Sequence, residues 1–277
     1  MNIAFFGTPP FTVDFLDTLA VGGFTPSLVI TNPDRPAGRG MVLTAPEPKV
    51  WAEKYNIAVL QPEKLDDAFF AELSKASWDL FVVVAYGQIM PERVINLPKY
   101  GTINVHYSLL PKYRGATPVE SAILNGDATT GIAIQQMRYK LDTGPLFIKS
   151  EIDIAPDDTT HTLRDKLNTE ALRLLMPTIT GIFDGSILPI EQDDTQATQC
   201  GKIKKEDGRI SLSDDAIELY RKYRAYDGWP GLYFYSKENV RVKITKAHLE
   251  DGTFVIDEVI PENGKRMSYE LFSKSSH

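Results

Sequence analysis

Short apolar runs that alternate with amphipathic stretches constrain this chain more than any other feature of its sequence. IAFFG (3–7), PSLVITN (26–32), IAVLQ (57–61), DLFVVVAYG (79–87) and GTINVHYS (101–108) are each one strand long, and most are apolar on both faces. Between them, Phe11, Phe15, Leu16 and Leu19 recur at helical spacing, and 48–54 and 65–76 read as further helices. A strand that is apolar on both faces needs helices packed on both. The pattern therefore predicts an α/β fold, a Rossmann-like doubly wound, mostly parallel sheet. TPVESAILNG (117–126) continues it as a helix, TGIAIQQM (130–137) and LFIKSEIDI (146–154) as strands, and 160–183 as a long helix. PDRPAGRG (33–40), rich in Pro and Gly, reads as a loop. From Gly185 to about Lys205 the apolar periodicity fails. Beyond it RISLS, LYFYS, VRVKITKAHL and TFVIDEVI, with a helix near 216–225, predict a small β-rich second domain. The expected division is an α/β domain over 1–188, a linker over 189–205 and the small domain over 206–277.

Open α/β sheets bind ligands at the carboxyl ends of their strands, and the sequence narrows what binds there. The first turn is GTPPF rather than a glycine-rich fingerprint, and Pro9 and Pro10 supply no N–H for a pyrophosphate, so NAD is not expected. No Walker A motif and no G-x-S-x-G elbow occurs. The four histidines (106, 161, 248, 277) lack a metal-binding spacing, so no metal is expected. One cysteine, Cys200, forms no internal disulfide and points to a reducing, cytoplasmic setting. No run approaches the roughly 20 apolar residues of a membrane span, and Met1 leads straight into IAFFG without a basic lead, so neither membrane nor secretion is expected. With a net charge of −7, a nucleic-acid partner would need a local basic surface.

NVHYSLLPKYRG (104–115) breaks the apolar rule. Asn104 and His106, two residues apart, share one face of their strand. Asp142 follows in KLDTGPL, between a strand and a glycine turn. Taken singly, each has a structural reading: a satisfied core histidine, a strand-end cap, a turn cap. Together an amide, an imidazole and a carboxylate suit acyl transfer to an amine. His106 and Asn104 would donate to the developing oxyanion, and Asp142 would orient His106 and help move protons. With no nucleophilic side chain in the set, direct transfer is the simplest course. Lys112 and Arg114 face either phosphates or water.

These residues resemble the folate-dependent formyltransferases, whose signature N-V-H-x-S-L-L-P-x-x-R-G followed by L-D-T-G stands here at 104–115 and 141–144. FFGTPPF, TNPDRPAGRG, VVVAYGQIMP, KIKKEDGRI and RAYDGWPG extend the resemblance over nearly the whole chain, toward the branch that formylates methionyl-tRNA in translation initiation. The resemblance implies 10-formyltetrahydrofolate as donor and the α-amino group of methionyl initiator tRNA as acceptor. It implies Asn104, His106 and Asp142 as the catalytic trio. It places folate on Ser108, Leu109, Leu110 and Pro111, with Tyr86, Gln88, Ile89 and Met90 around the pterin, and methionine on Pro10 and Phe11. It assigns tRNA to Arg35 and Arg39 of the 33–40 loop and to Lys202, Lys204 and Lys205. Arg221, Lys222, Arg224, Arg241, Lys243 and Lys246 would complete the basic surface, and the protein is expected to act as a monomer. Two departures stand out. Met41 and Val42 replace the lysines usual after RG, and strands are missing between Ala247 and Gly252, which predicts a shortened OB-like C-terminal domain. That shortening favours the alternative of a sugar-nucleotide or other small-amine N-formyltransferase. A silent folate- or RNA-binding protein would gain if Asp142 lay far from His106.

Overall fold

The computed structural model describes residues 1–38 and 40–275, so Arg39 and His277 lie outside the described residues. In chain order the first elements are β1 (Ile3–Gly7), α1 (Thr12–Val21), β2 (Leu28–Ile30), β3 (Arg35–Ala37), β4 (Val42–Thr44), α2 (Glu47–Lys54), β5 (Ala58–Leu60), α3 (Asp67–Leu73) and β6 (Leu80–Val84). They continue with α4 (Glu92–Ile95), β7 (Thr102–His106), β8 (Arg114–Gly115), α5 (Pro118–Asn125), β9 (Thr129–Gln136), β10 (Leu146–Asp153) and α6 (Thr160–Asp184). The last are β11 (Gln199–Cys200), α7 (Ala216–Ala225), β12 (Tyr233–Tyr235), β13 (Arg241–Glu250), β14 (Thr253–Pro261), β15 (Met267–Ser268) and α8 (Tyr269–Ser275). The chain forms two compact units, one of 1–114, 131–150 and 167–197, the other of 115–130, 151–166 and 198–277.

The first unit is built on a seven-stranded sheet of order β10-β9-β7-β6-β1-β2-β5. β1 lies between β6 and β2 and is parallel to both. Ile3, Ala4, Phe5 and Phe6 are fully buried there, as a strand covered on both faces requires. Phe6 and Phe81 meet with ring centroids 5.2 Å apart, in a cluster with Trp78, Tyr86 and Met90. β7 is parallel to β6, but β9 runs antiparallel to β7, and this is the one observed departure from parallel order that matters to the site. It puts Gln135 opposite Asn104 and Ala133 opposite His106. Residues paired across an antiparallel ladder share a face. Two polar side chains thus stand in one row of the sheet, beside a histidine opposite an alanine.

Residues 33–40, expected as a loop, instead contribute a strand of an antiparallel hairpin, with Arg35 opposite Thr44 and Ala37 opposite Val42. Pro36 is tolerated because this two-stranded ribbon is all edge. Its far strand exposes Val42 and Leu43, and Met41 before it is exposed too. Helix α3 is shorter than the expected 65–76: Asp66 caps it by accepting from the Phe69 N–H at 3.1 Å, and it ends before Ser74.

In the second unit, β12-β13-β14-β15 form a four-stranded sheet whose three pairings are all antiparallel. Strands β13 and β14 join directly through Asp251 and Gly252. Both adopt positive φ, 47° and 76°, which is the backbone of a two-residue type I′ turn. The strands missing after Ala247 are thus bridged by the shortest hairpin the ladder allows. Val242, Ile244 and Val259 are buried in the sheet, and Phe234 packs edge-on against Tyr269 and Phe272 of α8. Asp215 caps α7, accepting from the Ile217 and Glu218 N–H groups at 2.9 and 3.0 Å.

Candidate active site

The first unit brings His106 and Asp142 side by side, with Asn104 two residues before His106 on β7. His106 closes β7 with its ring 5% exposed. Its Nδ1 lies 3.7 Å from Asp142 Oδ1, and both side chains are almost fully buried. Its Nε2 lies 2.9 Å from the carbonyl oxygen of Tyr113. A carbonyl only accepts, so Nε2 carries the hydrogen and, in the neutral ring, Nδ1 keeps the lone pair. This corrects the expectation that His106 is simply a second oxyanion donor: its fixed hydrogen is committed to Tyr113, and the nitrogen toward Asp142 accepts. Asn104 is half-buried, and its side-chain amide bonds to no other described residue.

Asp142 is held from several sides. Its backbone is left-handed, φ 53°, a conformation aspartate tolerates better than most residues. Gln135 Nε2 donates to its Oδ1 at 2.8 Å. Gln192 Nε2 donates to its main-chain oxygen at 2.9 Å and to that of Gly144 at 2.6 Å. Gln192 Oε1 is in turn held by Arg114, at 3.2 Å from Nε and 2.8 Å from the terminal nitrogen, and the same guanidinium pairs with Asp194 at 2.6 Å. Arg114 is 2% exposed, so it faces neither phosphate nor water but braces the Asp142 turn. The Arg114 guanidinium beside Asp194 holds that carboxyl below the usual carboxylate range. Gly144 is required by packing: a Cβ there would sit 1.6 Å from the Gln136 carbonyl oxygen.

The other expected residues divide. Ile89 is 84% exposed, on a turn that leaves β6 through positive φ at Ala85 and Gly87. The N–H groups of Gln88, Ile89 and Met90 bond to no other described residue. The Gln88 amide is anchored to Asn32 Oδ1 at 3.0 Å and the Pro62 carbonyl at 3.1 Å. Tyr86 and Met90, expected around the pterin, instead place their side chains in the core, where burial pushes the Tyr86 phenol well above its ordinary range. Ser108 and Leu110 are likewise fully buried, and the Ser108 hydroxyl donates to the Lys112 carbonyl at 2.5 Å. These two shape the loop, while Leu109 and Pro111 remain partly exposed. Phe11, half-buried beside exposed Pro10, meets Tyr107 edge-on at 6.0 Å.

Among the cations, Arg35 pairs with Glu63 at 2.5 Å with both side chains about two-thirds exposed. Lys202, Lys204 and Lys205 are exposed. Arg224 is not part of any basic surface: it is buried, donating to the Asp158 carbonyl at 3.0 Å. Cys200 is buried as well. Among the described residues no group of His, Cys, Asp and Glu is placed to hold a metal ion, and no helix is long and apolar enough to cross a membrane. Sequence reasoning missed Gln135, Gln192 and the bracing role of Arg114. Only Gln135 carried a signal, as a polar side chain on a buried strand face like that of Asn104.

The chain is similar to known proteins over most of its length. Residues 1–179 match the Formyl transferase family and 202–255 the Formyl transferase, C-terminal domain family. A methionyl-tRNA formyltransferase of Caldicellulosiruptor saccharolyticus is 42% identical over 236 residues, 84% of this chain and 75% of that protein. Among solved structures, an N-formyltransferase from Helicobacter canadensis in complex with folinic acid and dTDP-3-aminofucose superposes with a TM-score of 0.68 at 18% identity, over 92% of this chain and 95% of that one. A methionyl-tRNA formyltransferase from Clostridium thermocellum superposes with a TM-score of 0.64 at 17% identity, over 95% and 99%.

Proposed function

The chain belongs to the formyl transferase family, and we propose from that footing how its residues carry out the reaction. It transfers a formyl group to the α-amino group of methionyl initiator tRNA. The sugar N-formyltransferases resemble it only at 16–19% identity, a likeness of fold. The donor is a formyl-folate, and we take it to be 10-formyltetrahydrofolate: a flat ring pairs with free main-chain groups at the edge of its site, and the open N–H groups of Gln88 to Met90 beside the exposed Ile89 offer such an edge. Residues 1–188 act as the catalytic domain and 206–277 as the tRNA-gripping one, joined by 189–205, in a protein that works as a monomer.

The observation that carries the mechanism is the 3.7 Å approach of His106 Nδ1 to Asp142 Oδ1 beside an unengaged Asn104 amide. As the amine adds, its lone pair forms the new C–N bond and the carbonyl pair moves to oxygen, where the Asn104 amide donates. His106 Nδ1 takes the proton that the amine gives up. The resulting imidazolium is balanced by Asp142, and as the oxyanion pair re-forms the carbonyl the C–N pair leaves on the donor nitrogen, which takes the proton from His106. Arg35 exchanges Glu63 for phosphate at little cost, since so exposed a pair is worth under about 1 kcal/mol. Arg39, Lys202, Lys204 and Lys205 add positioning contacts.

Formyl transfer from 10-formyltetrahydrofolate, with methionyl initiator tRNA and an amino-sugar nucleotide as competing acceptors, tests the reading. Formylmethionine should form on the tRNA and no formamide on the sugar. Preferential modification of the sugar would replace this function with the alternative.

A further inference from the structure

We propose that Gln135 is a positioning residue for formyl transfer, holding Asp142 ready for the proton that His106 acquires. The proposal rests on the reading of Asp142 as part of the reacting trio. A carboxylate only accepts hydrogen bonds, so the 2.8 Å contact with Asp142 Oδ1 fixes the Gln135 amide nitrogen toward it. The carbonyl end then points away, and Gln135 Oε1 is buried without a hydrogen-bond partner among the described residues. Gln135 is itself 1% exposed. A glutamine kept only for packing would be better as leucine or methionine, since a buried unpaired carbonyl is a net loss. The contact with Asp142 is what justifies the amide.

The geometry gives that contact a purpose. His106 Nδ1 and Asp142 Oδ1 face each other at 3.7 Å, too far for a hydrogen bond. In the resting neutral ring both atoms are acceptors, so His106 does not secure the carboxylate. Gln135 supplies a donor to the same oxygen. It stands opposite Asn104 in the β7–β9 ladder, so its reach is set by the same strand pair that places Asn104 and His106. When His106 takes the amine proton, Nδ1 becomes a donor and finds Asp142 already aligned. Gln192 and Arg114 fix the backbone of the same turn, and Gln135 acts on the carboxyl itself.

The test is a double-mutant cycle read by steady-state kinetics, with melting temperatures as the check on folding. Gln135→Leu is expected to lower kcat by roughly tenfold to a hundredfold, the range for residues that orient site ligands, with KM for donor and methionyl-tRNA unchanged and melting no lower than wild type. Combined with Asp142→Asn it should add nothing, because both changes remove one function. Gln135→Met, unbranched and of similar length, serves if leucine does not fold. Wild-type kcat in either variant, or losses that multiply in the double variant, would overturn the proposal. Wild-type kcat in Asp142→Asn alone would instead sink the reading of the trio.

Discussion

His106 restricts the chemistry most, because its two ring nitrogens are unequal. Nε2–H is tied to the Tyr113 carbonyl, so Nδ1 alone is free to exchange a proton. His106→Ala should therefore remove general acid–base catalysis, a loss on the order of 10²–10⁴ in turnover. Asn104→Ala should remove an oxyanion donor and cost roughly 10²–10³. Single-turnover formylation at saturating substrates separates these from binding effects, and near-normal rates in either variant would take that residue out of the mechanism. Much of this was legible in the sequence, because polar residues on an otherwise buried strand face are conspicuous. Gln135 carried the same signal, yet it escaped notice, since only the antiparallel register of β9 shows that it stands opposite Asn104. Arg114 was opaque for another reason. A cation in a Pro- and Gly-flanked stretch looks solvated, and its partners Gln192 and Asp194 lie far along the chain.

At the scale of elements, apolar runs announced the central strands because burial on both faces leaves no room for polar side chains. The β3–β4 hairpin was hidden because its ladder is made of main-chain bonds across a Pro- and Gly-rich sequence. The β13–β14 turn has a sharper consequence. Gly252 at φ 76° occupies left-handed backbone, so Gly252→Ala should cost about 1–2 kcal/mol and lower the melting temperature. An unchanged melting temperature would mean that the direct hairpin carries no strain on substitution. Helix α6 offers a pH prediction. The Arg173 guanidinium, and after it the Ser150 hydroxyl, lower the Glu170 carboxyl from 4.5 to about 2. A carboxyl depressed in the folded state stabilises fully above its unfolded value. That stability is lost as pH falls from about 4.5 through about 2, where the unfolded chain protonates first. Glu170→Gln should flatten denaturant-measured stability across that window. An equally steep decline in the variant would assign the acid sensitivity to other groups.

For the whole molecule the problem is an acidic body, net charge −7, that handles a polyanion. General attraction is unavailable, so binding must come from a few local cations. The burial of Arg224 makes that set smaller than the sequence suggests. Exposed Lys202, Lys204 and Lys205 are the densest group, but Glu206 and Asp207 follow at once, so net charge there is modest. If each lysine meets one phosphate, changing all three to alanine removes three released counterions. The slope of log K against log salt for methionyl-tRNA should then become shallower by about 2–3, with tRNA affinity falling most at low salt. The KM for the folate donor should not move, since the expected pterin edge at Gln88 to Met90 belongs to the other compact unit. Titration of tRNA binding at several salt concentrations reads the slope directly. A slope equal to that of the wild type would mean the three lysines serve only solubility, and the tRNA contacts would then have to be sought on Arg35 and the exposed cations of β13.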